Sequence, residues 1–220
     1  MSIIIAGASG QPAEVETGHR ASRAVIRPND VGALGAYSLA AVSGLMAAGL
    51  TAASPIFSLR YGGAGLALIR RVLISAQTRE TAFSAGQVHL DLFVARSFSA
   101  SDTGGTSVLP TVNKMKTTMA TTGMLDARAS ATAALSAGTR TLDGQPIGMV
   151  SAAAIATNLD YVLVPAQTPA FERRVGEWPL VLAVNEGIVL QATVPATGTW
   201  SFQVQVDWEE VSAFGSALAA

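Results

Sequence analysis

The sequence predicts an all-β protein, an antiparallel β-sandwich that follows an extended N-terminal arm. Three observations carry that expectation. Residues 200–208 alternate strictly, with Trp200, Phe202, Val204, Val206 and Trp208 on one side and Ser201, Gln203, Gln205 and Asp207 on the other. This is the period of a strand with one apolar face. Short apolar runs recur between Gly, Pro and Asn punctuation, a spacing that suits a sandwich. No alternation of strand-like and helix-like segments comes after the first apolar run, so a parallel sheet has nothing to grow from.

The C-terminal stretch is the clearest. Leu180–Val184, Ile188–Val194 and Trp200–Trp208 are apolar runs joined by Asn185-Glu186-Gly187 and Pro195-Ala196-Thr197-Gly198. Gly187 and Gly198 stand where tight turns favour a residue tolerant of positive φ, and Pro195 has no N–H to continue a ladder. The reading is a three-stranded antiparallel meander with one wet face.

Composition sets the outer bounds. A chain of 220 residues is long enough for one sizeable β-domain, or for one domain with an arm. A net charge of −1 with 13% charged residues supplies no strong field toward nucleic acid or an anionic membrane, and neither is expected as a partner. Hydrophobic residues make up 50%, but many are Ala and only 6% are aromatic, so the expected core is smaller than the percentage suggests. Such a surface, poor in charge, suits faces covered in an assembly. The chain has no Cys, which removes disulfides and thiol chemistry and fits assembly in a reducing compartment.

From the start, Ile3-Ile4-Ile5 followed by Gly7-Ala8-Ser9-Gly10 and Ala13 imitates a dinucleotide fingerprint, with Arg27 in the place of a phosphate reader. A working fingerprint opens a full helix packed on the sheet, and Pro12–Arg20 is too short and too polar for one. An extended arm is expected instead, and the segment lacks the basic start of a secretion signal. Val31–Leu59 carries no formal charge and has the length of a bilayer span. It is rich in Ala, Gly and Ser and is interrupted by Gly32, Gly35, Gly44, Gly49 and Pro55. Strands at Tyr37–Ser43 and Pro55–Arg60, with a turn or short helix at Met46–Ala53, are expected instead.

Leu66–Ile74 is an apolar run with Arg70 and Arg71 in its middle. Neighbouring strand residues point to opposite faces, so one Arg is expected inside or at an edge. Thr81–Gly86 turns the chain, and Val88, Leu90, Leu92 and Val94 then form an apolar face opposite His89 and Asp91. Lys114–Gly123 reads as an edge strand or connection, and Asp126–Leu135 as a short helix. Tyr161–Val164 is a strand ended by Pro165, and Phe171–Glu177 is a charged loop. The expected organisation is an arm, residues 1–30, and a β-sandwich domain, residues 31–220, with a 100–140 insertion.

Chemistry-bearing patterns are sparse. There is no nucleophile elbow and no phosphate loop. His89 and Asp91 read as a surface pair, since His19 is the only other histidine and a metal site needs more ligands. Glu209 and Glu210 face opposite ways in a strand, a poor geometry for two-carboxylate chemistry. Asp207 and Glu209 share a face, expected to be solvated. Trp178, Trp200 and Trp208 would make a sugar platform if exposed, but the last two lie on the apolar face and are expected in the core. No catalytic, cofactor-binding or metal-ligating residue is assigned, no cofactor is expected, and the chain is not read as an enzyme.

Four stretches carry a resemblance: Pro55–Gly63 (PIFSLRYGG), Thr81–Gly105 (TAFSAGQVHLDLFVARSFSASDTGG), Asp126–Asp143 (DARASATAALSAGTRTLD) and Pro179–Val211 (PLVLAVNEGIVLQATVPATGTWSFQVQVDWEEV). In these the chain resembles structural proteins of tailed-bacteriophage virions. The resemblance implies a sandwich of jelly-roll-like form, present in many copies on a virion assembled in the bacterial cytoplasm. The expected function is to decorate or cement the capsid as a homo-oligomer, with a trimer the first expectation. The major capsid protein or other virion proteins would be the partners. The alternative is a tail or fibre appendage that binds a host-surface carbohydrate or receptor.

Overall fold

The computed structural model describes residues 34–50, 53–109, 113–154, 162–174 and 177–212. By its contacts the chain divides after Asp30, and all of these residues belong to the unit Val31–Ala220. The predicted arm, with Gly7–Gly10, His19 and Arg27, lies outside the described residues.

Among the described residues two antiparallel sheets hold fourteen strands, which is the all-β sandwich expected. Eight strands have seven or more residues: β1 (Gly35–Val42), β3 (Ser54–Tyr61), β4 (Leu66–Thr78), β5 (Gly86–Arg96), β10 (Gly148–Ala154), β11 (Val162–Glu172), β13 (Gly187–Thr193) and β14 (Thr199–Val211). Sheet one runs β11-β4-β14-β1, extended by β7 (Asn113–Lys114), with β12 (Leu180–Leu182) also on β4 and β2 (Met46–Ala47) on β14. Sheet two runs β10-β5-β13-β3, extended by β8 (Met124–Ala129) and β6 (Thr106–Ser107), with β9 (Thr141–Leu142) on β5.

The inward rows are the ones the alternation marks. Leu39, Ile74 and Val206 from sheet one and Leu59, Leu90 and Ile188 from sheet two belong to a single buried cluster. Of the thirteen aromatic residues in the chain, eight are fully buried among the described residues. Tyr37 stacks on Trp208, with centroids 5.6 Å apart, and Trp200 packs between Phe83 and Phe202 at 6.4 and 5.8 Å. The aromatic content is low, but its bulk lies between the sheets, where each ring removes the most apolar area from water.

Four expectations are corrected by the structure. The C-terminal strands do not form a meander: β12 and β14 both pair with β4, whereas β13 lies in sheet two between β3 and β5. Period two fixes which side chains share a face but says nothing about which strand is the neighbour. Asp126–Leu135 begins as strand β8 rather than a helix, because pairing with β3 overrides the helix preference of Ala. Pro165 does not end its strand. β11 runs on through Pro165 and Pro169 with three register shifts, as an edge strand tolerates. Finally, Arg70 and Arg71 both face outward from β4, inside the sheet. The pairing steps from Asp207↔Arg71 to Trp208↔Ile69, so the extra residue of a β-bulge restores the inward row on both sides, at Ile69 and Val72.

Gly187 serves a different purpose from the one its turn position suggests. The positive φ of that turn belongs to Asn185, at 61°, whereas Gly198 does take φ 117°. Gly187 opens β13, where a Cβ would overlap the Leu59 carbonyl and crowd the Phe98 ring. Gly187→Ala should therefore lower stability by about 1–3 kcal/mol, the cost of overpacking. Asn185→Gly should cost less than about 1 kcal/mol, since glycine accepts that φ and only the exposed hydrogen bond from Arg60 at 2.7 Å is lost. Urea unfolding of both variants checks the contrast, and equal midpoints would refute this account of Gly187.

Candidate functional site at the carboxylate end of β14

The final residues of β14 include Asp207, Glu209 and Glu210, which are 9%, 2% and 4% exposed. Three carboxylates in four residues of an interior strand need partners, because a buried charge without them is costly. Each is met by groups from elsewhere in the chain.

Asp207 faces outward from sheet one. It accepts from Ser38 Oγ of β1 at 2.5 Å, from Arg71 of β4, and from Gln205 Nε2 at 3.2 Å. Burial pulls its pKa upward, but these hydrogen bonds and the Arg71 charge outweigh it and hold the carboxyl below its ordinary value. Glu209, on the same face, pairs with Arg70. Here burial outweighs the Arg70 pair and the Arg173 charge, and its pKa is raised. Arg70 and Arg71 are about half exposed (50% and 44%), so their chains lie over the carboxylates while their far ends reach water.

Glu210 points the other way, into the end of the sandwich. It accepts from Thr122 Oγ1 at 2.5 Å, from the Gly123 backbone N–H at 2.9 Å and from the Trp208 indole N–H at 3.2 Å. The 119–124 segment is thereby fastened beneath Tyr37, whose hydroxyl donates to the Ala120 carbonyl at 3.0 Å. Burial pushes the Tyr61 hydroxyl up to about 12, helped by the Glu210 and Tyr37 charges and opposed by a bond to the Gly65 backbone. Burial followed by the Glu210 charge also raises Tyr37.

A groove of about 340 Å³ lies over this region, lined by Arg70, Arg71 and Arg173 and by Glu172, Asp207 and Glu209. Its charges balance. The arrangement joins β1, β4, the end of β11 and the 119–124 segment to one strand, and its chemistry is that of a fastening.

A second buried ion pair, Asp102 with Arg140, sits outside sheet two. Asp102 also accepts from the Gly138 N–H at 2.8 Å. The guanidinium groups of Arg140 and Arg60 each lie over the Phe98 ring, at 5.4 and 5.9 Å from its centroid. It packs on Ala95 and Val189. Burial lowers the Arg140 pKa. This cluster closes a flap over part of the outer face of sheet two.

The other residues singled out in the sequence are dispersed. His89 and Asp91 lie on the outer face of β5, and His89 Nε2 is 3.0 Å from Gln87 Oε1. Burial raises the Asp91 pKa, with the His89 charge opposing. Among the described residues no group of three or more His, Asp or Glu side chains is placed to share a metal ion. Trp200 and Trp208 are buried, whereas Trp178 is 75% exposed. Glu209 and Glu210 do face opposite ways. Asp207 and Glu209 do share a face, but it is covered by the two arginines rather than solvated, which corrects that expectation. Sequence reasoning missed Thr122, Ser38 and the Asp102–Arg140 pair, since no local pattern marks a donor 88 or 169 residues from its acceptor. Comparison of the chain with family models, curated proteins and solved structures returns no match.

The two outward carboxylates act in opposite senses in acid. Asp207, held low, adds stability that is present above its unfolded pKa and lost as pH falls through the folded one. Glu209, held high, adds stability that is present below its unfolded pKa and lost as pH rises through the folded one. Between about pH 6 and about pH 3, Asp207→Asn should flatten the decline of the urea midpoint, and Glu209→Gln should steepen it. Profiles parallel to the wild type for both variants would show that neither carboxylate is coupled to folding.

Proposed function

We propose that the chain is a non-enzymatic structural protein of a tailed-bacteriophage virion, acting by binding and most directly by decorating or cementing the capsid as a homo-oligomer. The observation that carries this reading is the strand order. Counting only the eight long strands along the chain, one sheet reads sixth, third, eighth, first and the other fifth, fourth, seventh, second. That interleaving supports a jelly roll, an architecture used in viral capsids as well as in lectins and cupins. The resemblance of four stretches to virion structural proteins selects among those uses. On this reading small contacts repeated over many copies supply the strength. The arm, residues 1–30, reaches a neighbouring subunit or the shell.

Removal of residues 1–30 should leave the β-domain folded by circular dichroism and cut its occupancy on empty shells. Full occupancy by the arm-less protein would refute the role given to the arm. One observation favours the second reading, an appendage that binds a carbohydrate: Trp178 is exposed on the surface while the other two tryptophans are buried, and exposed indole rings suit sugar faces. Glycan-array binding that disappears in Trp178→Ala would establish that reading in place of the first.

A further inference from the structure

The outer face of sheet one is divided by charge. At one end stand Asp207 on β14, Arg71 on β4 and Glu172 on β11, which are cross-strand neighbours. At the other end, where β4 leaves the sheet, stand Arg79 and Glu80. Between these ends the outward rows hold no formal charge. On β14 they are Ser201, Gln203 and Gln205, and on β4 they are Gln77, Ser75 and Leu73, paired in that order. On β1 they are Ala40 and Val42, opposite Gln205 and Gln203, and Val42 is 65% exposed. A depression of about 180 Å³ lies in the middle, bounded by Val42, Leu73, Gln167 and Gln203. It has room for a side chain from an opposing surface.

We infer that this uncharged window is a self-association face whose occupant is the same face of a second copy. The inference rests on the homo-oligomer reading above and deepens it by naming the surface; a face that pairs with itself closes a two-fold dimer, so it replaces the trimer expected from the sequence. A charge-depleted centre inside a charged rim is one mark of an interface. Identical surfaces paired about a two-fold axis bring like groups together near that axis, which penalises charge there but not Gln and Ser, since amide and hydroxyl groups both donate and accept. The rims suit self-pairing as well, because each end carries both signs. The size is sufficient. From Arg71 to Arg79 β4 rises roughly 27 Å, and four strands span roughly 19 Å, so two such faces would bury on the order of 1,000 Å² in total, the lower bound for a specific interface. The outer face of sheet two offers no equivalent, because the Phe98 flap covers part of it.

The test is light scattering on the full chain, comparing wild type with Gln203→Arg and, separately, Gln77→Arg, with Gln191→Arg on the outer face of sheet two as control. Each window variant sets a guanidinium without a partner inside the uncharged face, and Gln203→Arg, in the middle row, brings two of them near each other across the axis. Expected is a dimeric wild type and control, and window variants with the mass of a monomer and a far-ultraviolet circular dichroism spectrum unchanged from the wild type. If both window variants keep the wild-type mass, the face is wrong while the homo-oligomer reading stands. If the wild type is itself monomeric, the homo-oligomer reading fails and the face with it.

Discussion

Burial of charge on an interior strand is the constraint on which the rest of this sandwich depends. β14 has β4 on one side and β1 on the other, so the carboxylates of Asp207, Glu209 and Glu210 cannot escape sideways to water. An unpaired carboxylate there would cost several kcal/mol. Their partners from outside the strand come from β1, β4 and the 119–124 segment, between 87 and 169 residues away in the chain. The strand can therefore be buried only when most of the fold is in place. The β-bulge at Arg70–Arg71 is part of the same solution. It turns two consecutive guanidinium groups to one face, so that each meets a carboxylate while the apolar row beneath continues.

The long reach of these contacts comes from the topology. The last strand lies between the first and the third of the eight long ones, and the strand before it lies between the second and the fourth. Nearly all pairing is therefore non-local, the arrangement in which loop closure must be met before contacts repay it. The alternation of β14 and β5 defines their faces without reference to distant residues, whereas the ionic contacts that fix neighbours need strands far apart in the chain.

The faces of the strands were legible in the sequence, and the neighbours were not. Trp200 to Trp208, Val88 to Val94 and Tyr37 to Ala41 alternate, and their inward rows follow from that alone. The bulge was not legible: residues 66–69 and 72–74 are apolar at every position, so only the structure shows the inward row passing from Ala67 and Ile69 to Val72, Ile74 and Ala76 across the two arginines. The exchange of β12, β13 and β14 between sheets left no local trace, because a turn that crosses the sandwich uses the same residues as one that closes a hairpin. The Glu210 site was hidden for a related reason. Its donors from outside the strand are a threonine and a glycine N–H, residue types too common to stand out at any spacing.

The irregular edge of sheet one has a consequence for behaviour in a crowd. β11 presents Pro165 and Pro169, and its pairing to β4 slips three times, so its outer side offers no continuous row of N–H and C=O groups to a passing strand. Two such molecules pressed together at high local concentration cannot join sheet to sheet along that border and grow as a ribbon. A chain dense in Ala, Val and Thr, with little charge to keep copies apart, is thereby protected from fibre growth along this edge by backbone geometry rather than by repulsion.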